Sequence, residues 1–190
     1  MKGWTVWLTG LPGSGKTTIA KELVKKLEQN KIKVEYLKMD EIRNILTPKR
    51  EYTKKERDHA YRAIVLISKY LTDNGANVLI DATAYRRIWR DLGRKLVPNF
   101  IEVYVKCPLD ICITRESRRK DNLIIRNMYK KALERFKTGK RIAGLGDVIG
   151  IDVSYEEPNK PELVIESDKL TPKESSERIF QFLNLKFIKQ

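Results

Sequence analysis

The chain has 190 residues, 41% of them hydrophobic and 34% charged, with a formal net charge of +14. That length suits one α/β domain over residues 1–190 with one sizeable core, and the basic balance calls for anionic partners without choosing between phosphate-bearing metabolites and nucleic acid. Two cysteines five residues apart, Cys107 and Cys112, and a single histidine, His59, argue against a disulfide framework or a zinc site; no apolar run is long enough for a membrane span and no secretory leader opens the chain, so a reducing cytoplasm and no membrane partner are expected.

Short β-rich runs at Thr5–Thr9, Lys33–Lys38, Asn77–Asp81, Phe100–Lys106 and Leu163–Glu166 alternate with helical patterns. Such alternation predicts right-handed crossovers onto a five-stranded parallel sheet flanked by helices, an α/β three-layer fold whose ligands gather at the C-terminal ends of the strands. The first run leads into Gly10-Leu11-Pro12-Gly13-Ser14-Gly15-Lys16-Thr17-Thr18, where Gly10, Gly15, Lys16 and Thr17 have phosphate-loop spacing. The strand before it and the helix after it set it apart from a glycine-rich turn that matches by chance. Backbone N–H groups of such a loop cradle phosphates, aided by the helix dipole. Lys16 would neutralise the β- and γ-phosphates of ATP, Thr17 would take one position on Mg²⁺, and Thr18 is a spare hydroxyl. The helix that follows buries Ile19, Leu23 and Leu27 and stops at Asn30.

Beyond the second run come Asp40 and, three residues on, Arg43. A carboxylate there can take the proton of an attacking hydroxyl and an arginine one turn later can fork onto an anion, although a helix-capping Asp beside a solvated Arg has the same pattern. A long helix from Thr53 carries Tyr61, Ile64, Val65 and Leu71 on one face and ends at Asn74-Gly75, leaving His59 exposed. Asp81 ends the third run, where phosphate-loop enzymes hold Mg²⁺ through an aspartate; a strand-end cap for Thr83 is the other reading. Trp4, Trp7 and Trp89 read as core or interface residues rather than base-stacking platforms. Between Arg115 and Arg141 eleven basic residues face three acidic ones, and Ile125, Met128, Tyr129, Ala132, Leu133 and Phe136 recur at helical spacing. This predicts a basic helical lid over about 115–148 with one docked apolar face, or else a solvated basic helix. Thr171-Pro172-Lys173-Glu174 opens the last helix as a capping box, with Ile179, Phe182 and Leu183 packing on the sheet.

Taken together, Trp7 through Thr18, Asp40-x-x-Arg43, Tyr85-Arg86, Phe100 through Val105, Tyr129-Lys130-Lys131-Ala132 and Gly150-Ile151-Asp152-x-x-Tyr155-Glu156-x-Pro158-x-x-Pro161-Glu162 resemble adenylylsulfate kinase nearly end to end. The resemblance implies a phosphate-loop kinase using ATP and Mg²⁺ on a small nucleotide acceptor, and a homodimer. It implies Asp40 as base on a ribose 3′-hydroxyl and Arg43 and Arg57 on the phosphosulfate. Tyr52 would stack on the substrate adenine, Thr83 and Tyr85 would line the acceptor site, Lys131 would sit in the lid, and Arg115 would lie near the ATP base. The chain departs from the family at Lys38-Met39-Asp40 in place of Asp-Gly-Asp, at Thr83-Ala84-Tyr85-Arg86 in place of Ser-Pro-Tyr-Arg, at Ala60 in place of an asparagine and at Val148 in place of a phenylalanine. Asp81 is the replacement expected for the missing metal carboxylate. The alternative acceptors are another nucleotide conjugate or a hydroxyl end of RNA, which the basic lid would suit.

Overall fold

The computed structural model describes residues 2–49, 52–118, 127–140 and 142–188. Strands β1 (Thr5–Thr9), β2 (Glu35–Lys38), β3 (Val78–Asp81), β4 (Phe100–Lys106) and β5 (Leu163–Glu166) form one parallel sheet in the order β2-β3-β1-β4-β5. Three of the five match the expected bounds. β2 starts two residues and β3 one residue later than expected; just ahead of them the Asn77 carbonyl receives the Glu35 N–H (2.8 Å) and its side-chain amide donates to the Lys33 carbonyl (3.0 Å).

A parallel sheet must be covered on both faces, and residue alternation along β1 sends Val6 and Leu8 to one side and Trp7 to the other. On the first side α1 (Lys16–Gln29) and α7 (Pro172–Leu183) bury Ile19, Leu23, Leu27, Ile179 and Leu183. Phe180 is buried there too, while the expected Phe182 is only partly covered. On the second side α3 (Lys54–Asp73) and α4 (Arg87–Leu96) bring Tyr61, Ile64, Val65 and Trp89 against Trp7, Ile80 and Phe100. Thr53 caps α3, and the Thr171–Glu174 capping box opens α7 as its spacing predicts. All three tryptophans are core residues, and His59 is exposed.

Among the described residues three further α-helices lie at the C-terminal edge of the sheet: α2 (Met39–Leu46), α5 (Leu109–Ser117) and α6 (Met128–Thr138). A small separate core there holds Cys107, Cys112, Tyr129, Ala132, Leu145 and Val148. Both cysteines are free thiols, and burial pushes that of Cys112 up to about 12. The docked face of α6 is narrower than its spacing predicts, since Leu133 is 37% and Phe136 79% exposed: the core beneath the helix ends with its second turn. Ile125 lies outside the described residues.

The segment after this core is a strap. Asp152 accepts from the Val148 N–H (2.7 Å) and from Arg135 (2.5 Å), the Tyr155 hydroxyl bonds that of Thr9 (2.8 Å), and Glu162 receives Arg94 and the Glu102 N–H (2.7 Å). Burial opposes ionisation of Glu162, but the Arg94 guanidinium and the Glu102 N–H outweigh it and hold its carboxyl below the usual range. Fully buried Arg90 ties the strap to the sheet, donating to Glu102 (2.6 Å), to the Ala84 carbonyl and to the Glu156 carbonyl (2.5 Å). Removing it strands three acceptors, so Arg90→Met is expected to cost about 3 kcal/mol, the low end for a broken buried pair because Arg94 still reaches Glu102. Urea unfolding measures this; a loss below about 1 kcal/mol would mean that Arg94 alone satisfies Glu102.

Candidate active site

The loop between β1 and α1 leaves the middle strand of the sheet, flanked by β3 and β4, where chain connections diverge and a crevice opens. Its glycines are geometric requirements. Gly10 (φ +149°) and Gly13 (φ +82°) adopt conformations that side chains rarely reach, and a Cβ on either would stand 2.4 Å from a carbonyl oxygen, of Val105 and Cys112 respectively. The loop is fastened from behind: Tyr129 donates to the Pro12 carbonyl (2.9 Å) and Ser167 to the Ser14 carbonyl (2.7 Å). The Lys16 ammonium is buried against the loop, donating to the carbonyls of Gly10 (2.9 Å) and Leu11 (2.8 Å).

In the first turn of α1 the Thr17 hydroxyl donates to Asp81 Oδ2 (2.6 Å), and the Tyr36 hydroxyl reaches the same oxygen (3.1 Å). Asp81 sits in register with Leu8 and Lys38, level with the mouth of the loop. Burial, reinforced by the Asp81 charge, pushes the Tyr36 hydroxyl pKa up, which keeps it a donor. A hydroxyl and a carboxylate facing one point make a hard-oxygen set that fits Mg²⁺, a cation that keeps several waters and needs only one or two protein ligands besides phosphate. Among the described residues no group of three or more His, Cys, Asp or Glu gathers as a metal site, which is consistent with so sparse a set.

Across the crevice, a cleft of about 700 Å³ is walled by the loop, by Lys38, Asp40, Glu41 and Arg43, by Tyr52 and Arg57, by Asp81 to Thr83, by Arg115 and by Leu145 to Ile149. Asp40 lies in the first turn of α2. Arg43 is not solvated: it is 7% exposed, bonds Glu56 through Nη2 (2.6 Å), lies 4.5 Å over the Tyr52 ring and has a buried Nε with no hydrogen-bond partner among the described residues. Arg57 donates to the carbonyls of Asp147 (2.6 Å) and Tyr52 (3.2 Å), joining α3 to the far wall. Arg115 donates to the Ser167 carbonyl (2.8 Å) beside Gly15. Pro12, Gly13, Gly15, Lys16, Thr17 and Thr18 face the cleft; Gly10 and Ser14 lie beneath the loop surface, outside the cleft lining. Two expected acceptor-site residues do not line it either: Tyr85 is buried edge-on against Trp89, and Lys131 is half-buried on α6.

Sequence reading missed Glu56 and Tyr36. Glu56 binds both Arg43 and the Tyr52 N–H (2.7 Å), and its only signal is the Thr53-x-x-Glu56 spacing. Tyr36 shares a strand face with Lys38 by its period of two. Two of the family departures prove structural. Ala60 is buried among α3, α4 and the sheet and does not line the cleft. Ala84 has φ +40° and donates its N–H to the buried Tyr61 hydroxyl (2.9 Å), and proline can supply neither. A second groove, between α1 and α7, is lined by charged side chains that pair with one another, as Lys25 with Glu22 (3.0 Å), and holds none of these residues.

The family model described as adenylylsulphate kinase matches residues 2–166. The chain is 37% identical to a probable adenylyl-sulfate kinase of Pyrococcus abyssi over 182 residues, 95% of each chain. It is 34% identical to the adenylyl-sulfate kinase of Halothermothrix orenii, covering 97% of this chain and 91% of that one. Among solved structures it superposes on the Mycobacterium tuberculosis APS kinase in complex with AMPPNP and APS with a TM-score of 0.81 at 27% identity, over 96% of this chain and 98% of that one. With the family model matching residues 2–166, relatives above 30% identity along nearly the whole chain and one fold shared with the solved kinase, the chain belongs to the adenylylsulphate kinase family.

Proposed function

We propose that this protein transfers the γ-phosphoryl group of ATP to the ribose 3′-hydroxyl of adenylylsulfate, giving 3′-phosphoadenylylsulfate. The observation that carries the reading is one cleft with phosphate-binding groups on one wall and a carboxylate with two buried arginines on the other. In it Gly10 to Thr18 cradles the triphosphate, Lys16 exchanges the Gly10 and Leu11 carbonyls for phosphate oxygens, and Arg115 flanks the nucleotide base. Arg43, preorganised by Glu56, and Arg57 receive the anionic end of the acceptor, and Tyr52 stacks on its adenine while its other face rests on Arg43. Asp40 accepts the hydroxyl proton as the oxygen attacks. Thr17 and Asp81 hold Mg²⁺, which when bound neutralises phosphate charge. Thr83 lines the acceptor side of the cleft, α6, the described helix of the lid, carries Lys131 and closes over the phosphates, and dimer formation belongs to the same proposal, tested by light scattering; residues 119–126 and 141 of the lid lie outside the described residues. Labelled ATP with adenylylsulfate tests the whole: label in the 3′-phosphorylated product is expected, and label appearing only on an RNA end or another nucleotide conjugate would overturn it.

Asp81→Asn is expected to raise the Mg²⁺ concentration needed for half-maximal turnover several-fold while metal-free nucleotide binding is kept, because the amide retains the Thr17 contact but loses the charge. Equal Mg²⁺ titrations for the two proteins would remove Asp81 from the metal site.

A further inference from the structure

Lys38 is a cation at a position where the metal side of the cleft would be expected to carry a carboxylate. It is the last residue of β2 and lies in register with Asp81, one strand spacing of about 4.8 Å away, while Asp81 in turn is bonded to Thr17 at the phosphate loop. It therefore stands beside Asp81, level with the loop mouth, and it lines the cleft together with Asp40. Its stem is guided by Tyr36, whose ring lies 5.0 Å beneath the ammonium and whose hydroxyl holds Asp81. Its partner is Glu41, at 2.6 Å, an i,i+3 pair whose side chains are 30% and 53% exposed. A solvated pair of this kind is screened and weak, so a polyanion entering the cleft competes for the ammonium on favourable terms.

We infer that Lys38 is a phosphate-binding residue of this chain, its ammonium passing from the Glu41 carboxylate to the terminal phosphate of the bound triphosphate. There it faces the oxygens over which charge spreads during phosphoryl transfer, and supplies directly some of the neutralisation that a carboxylate at this position could give only through a metal. The inference rests on the cleft being a phosphoryl-transfer site, as proposed above.

Calorimetric titration of ATP, with EDTA and with Mg²⁺, into the parent protein, Lys38→Met and Glu41→Gln tests it. Lys38→Met is expected to weaken metal-free ATP binding about tenfold and Glu41→Gln to strengthen it several-fold, with AMP binding unmoved in both. The opposite signs keep the test decisive even if one variant folds poorly. Parent-like metal-free ATP affinity in either variant, or equal changes for ATP and AMP, would overturn the inference. Absence of adenylylsulfate turnover in the parent would instead overturn the proposed function, and the ATP titrations would still decide the role of Lys38.

Discussion

Lys16→Ala is expected to lower kcat roughly 10²–10³-fold at saturating MgATP, with a smaller loss in nucleotide affinity. The asymmetry follows from where the ammonium sits. It is already desolvated and held on two carbonyls of its own loop, so moving to phosphate trades one set of bonds for another and gains little in the ground state. The gain comes as charge builds on the phosphoryl group in flight, when a buried cation is worth more than neutral acceptors. Single-turnover rates and ATP titration separate the two contributions. Near-parent turnover would remove the loop from catalysis altogether.

Asp40→Asn is expected to depress kcat by about 10²–10⁴ with ATP affinity unchanged. The substitution is close to isosteric and forfeits only a first-turn interaction with the helix dipole, about 0.3–1 kcal/mol, so α2 and the Arg43–Glu56 pair that it carries should remain in place. Only the ability to take up the hydroxyl proton is lost. If kcat survives, Asp40 is a helix-terminal residue and the base lies elsewhere; if ATP affinity falls with kcat, the side chain belongs to the nucleotide half of the cleft.

Much of this was legible before any coordinates. The phosphate loop is read from spacing because its chemistry needs fixed residues in a fixed local order, and β1, β4 and β5 are read from apolar runs bounded by turns. Asp81 was readable as the polar end of such a run. What could not be read is tertiary. Glu56 looks like an ordinary first-turn acid until α2 folds against α3 and delivers Arg43 to it. The Tyr155, Glu156 and Glu162 cluster identifies the family in sequence, but its work is visible only when Thr9, Arg87 and Arg94 meet it from distant segments. Helical spacing places Phe136 on the docked face because spacing cannot tell how far the opposing core extends. Ala60 and Ala84 stand out in the sequence only as departures from the family pattern; packing accounts for the first and a left-handed backbone for the second.

The fastening of the phosphate loop also orders events during synthesis. The loop itself has emerged by residue 18, but the groups that hold it arrive much later: Tyr129 on Pro12, Tyr155 on Thr9 and Ser167 on Ser14, at separations of 117, 146 and 153 residues. Contacts of that range form only after the intervening chain is available, because closure entropy precedes their reward. A ribosome-bound chain is therefore expected to pass most of translation with its nucleotide cradle unset. Protection of arrested chains from protease by ATP should appear only once Ser167 has cleared the exit tunnel, so that the growing protein ties up none of the cell's nucleotide before it can use it.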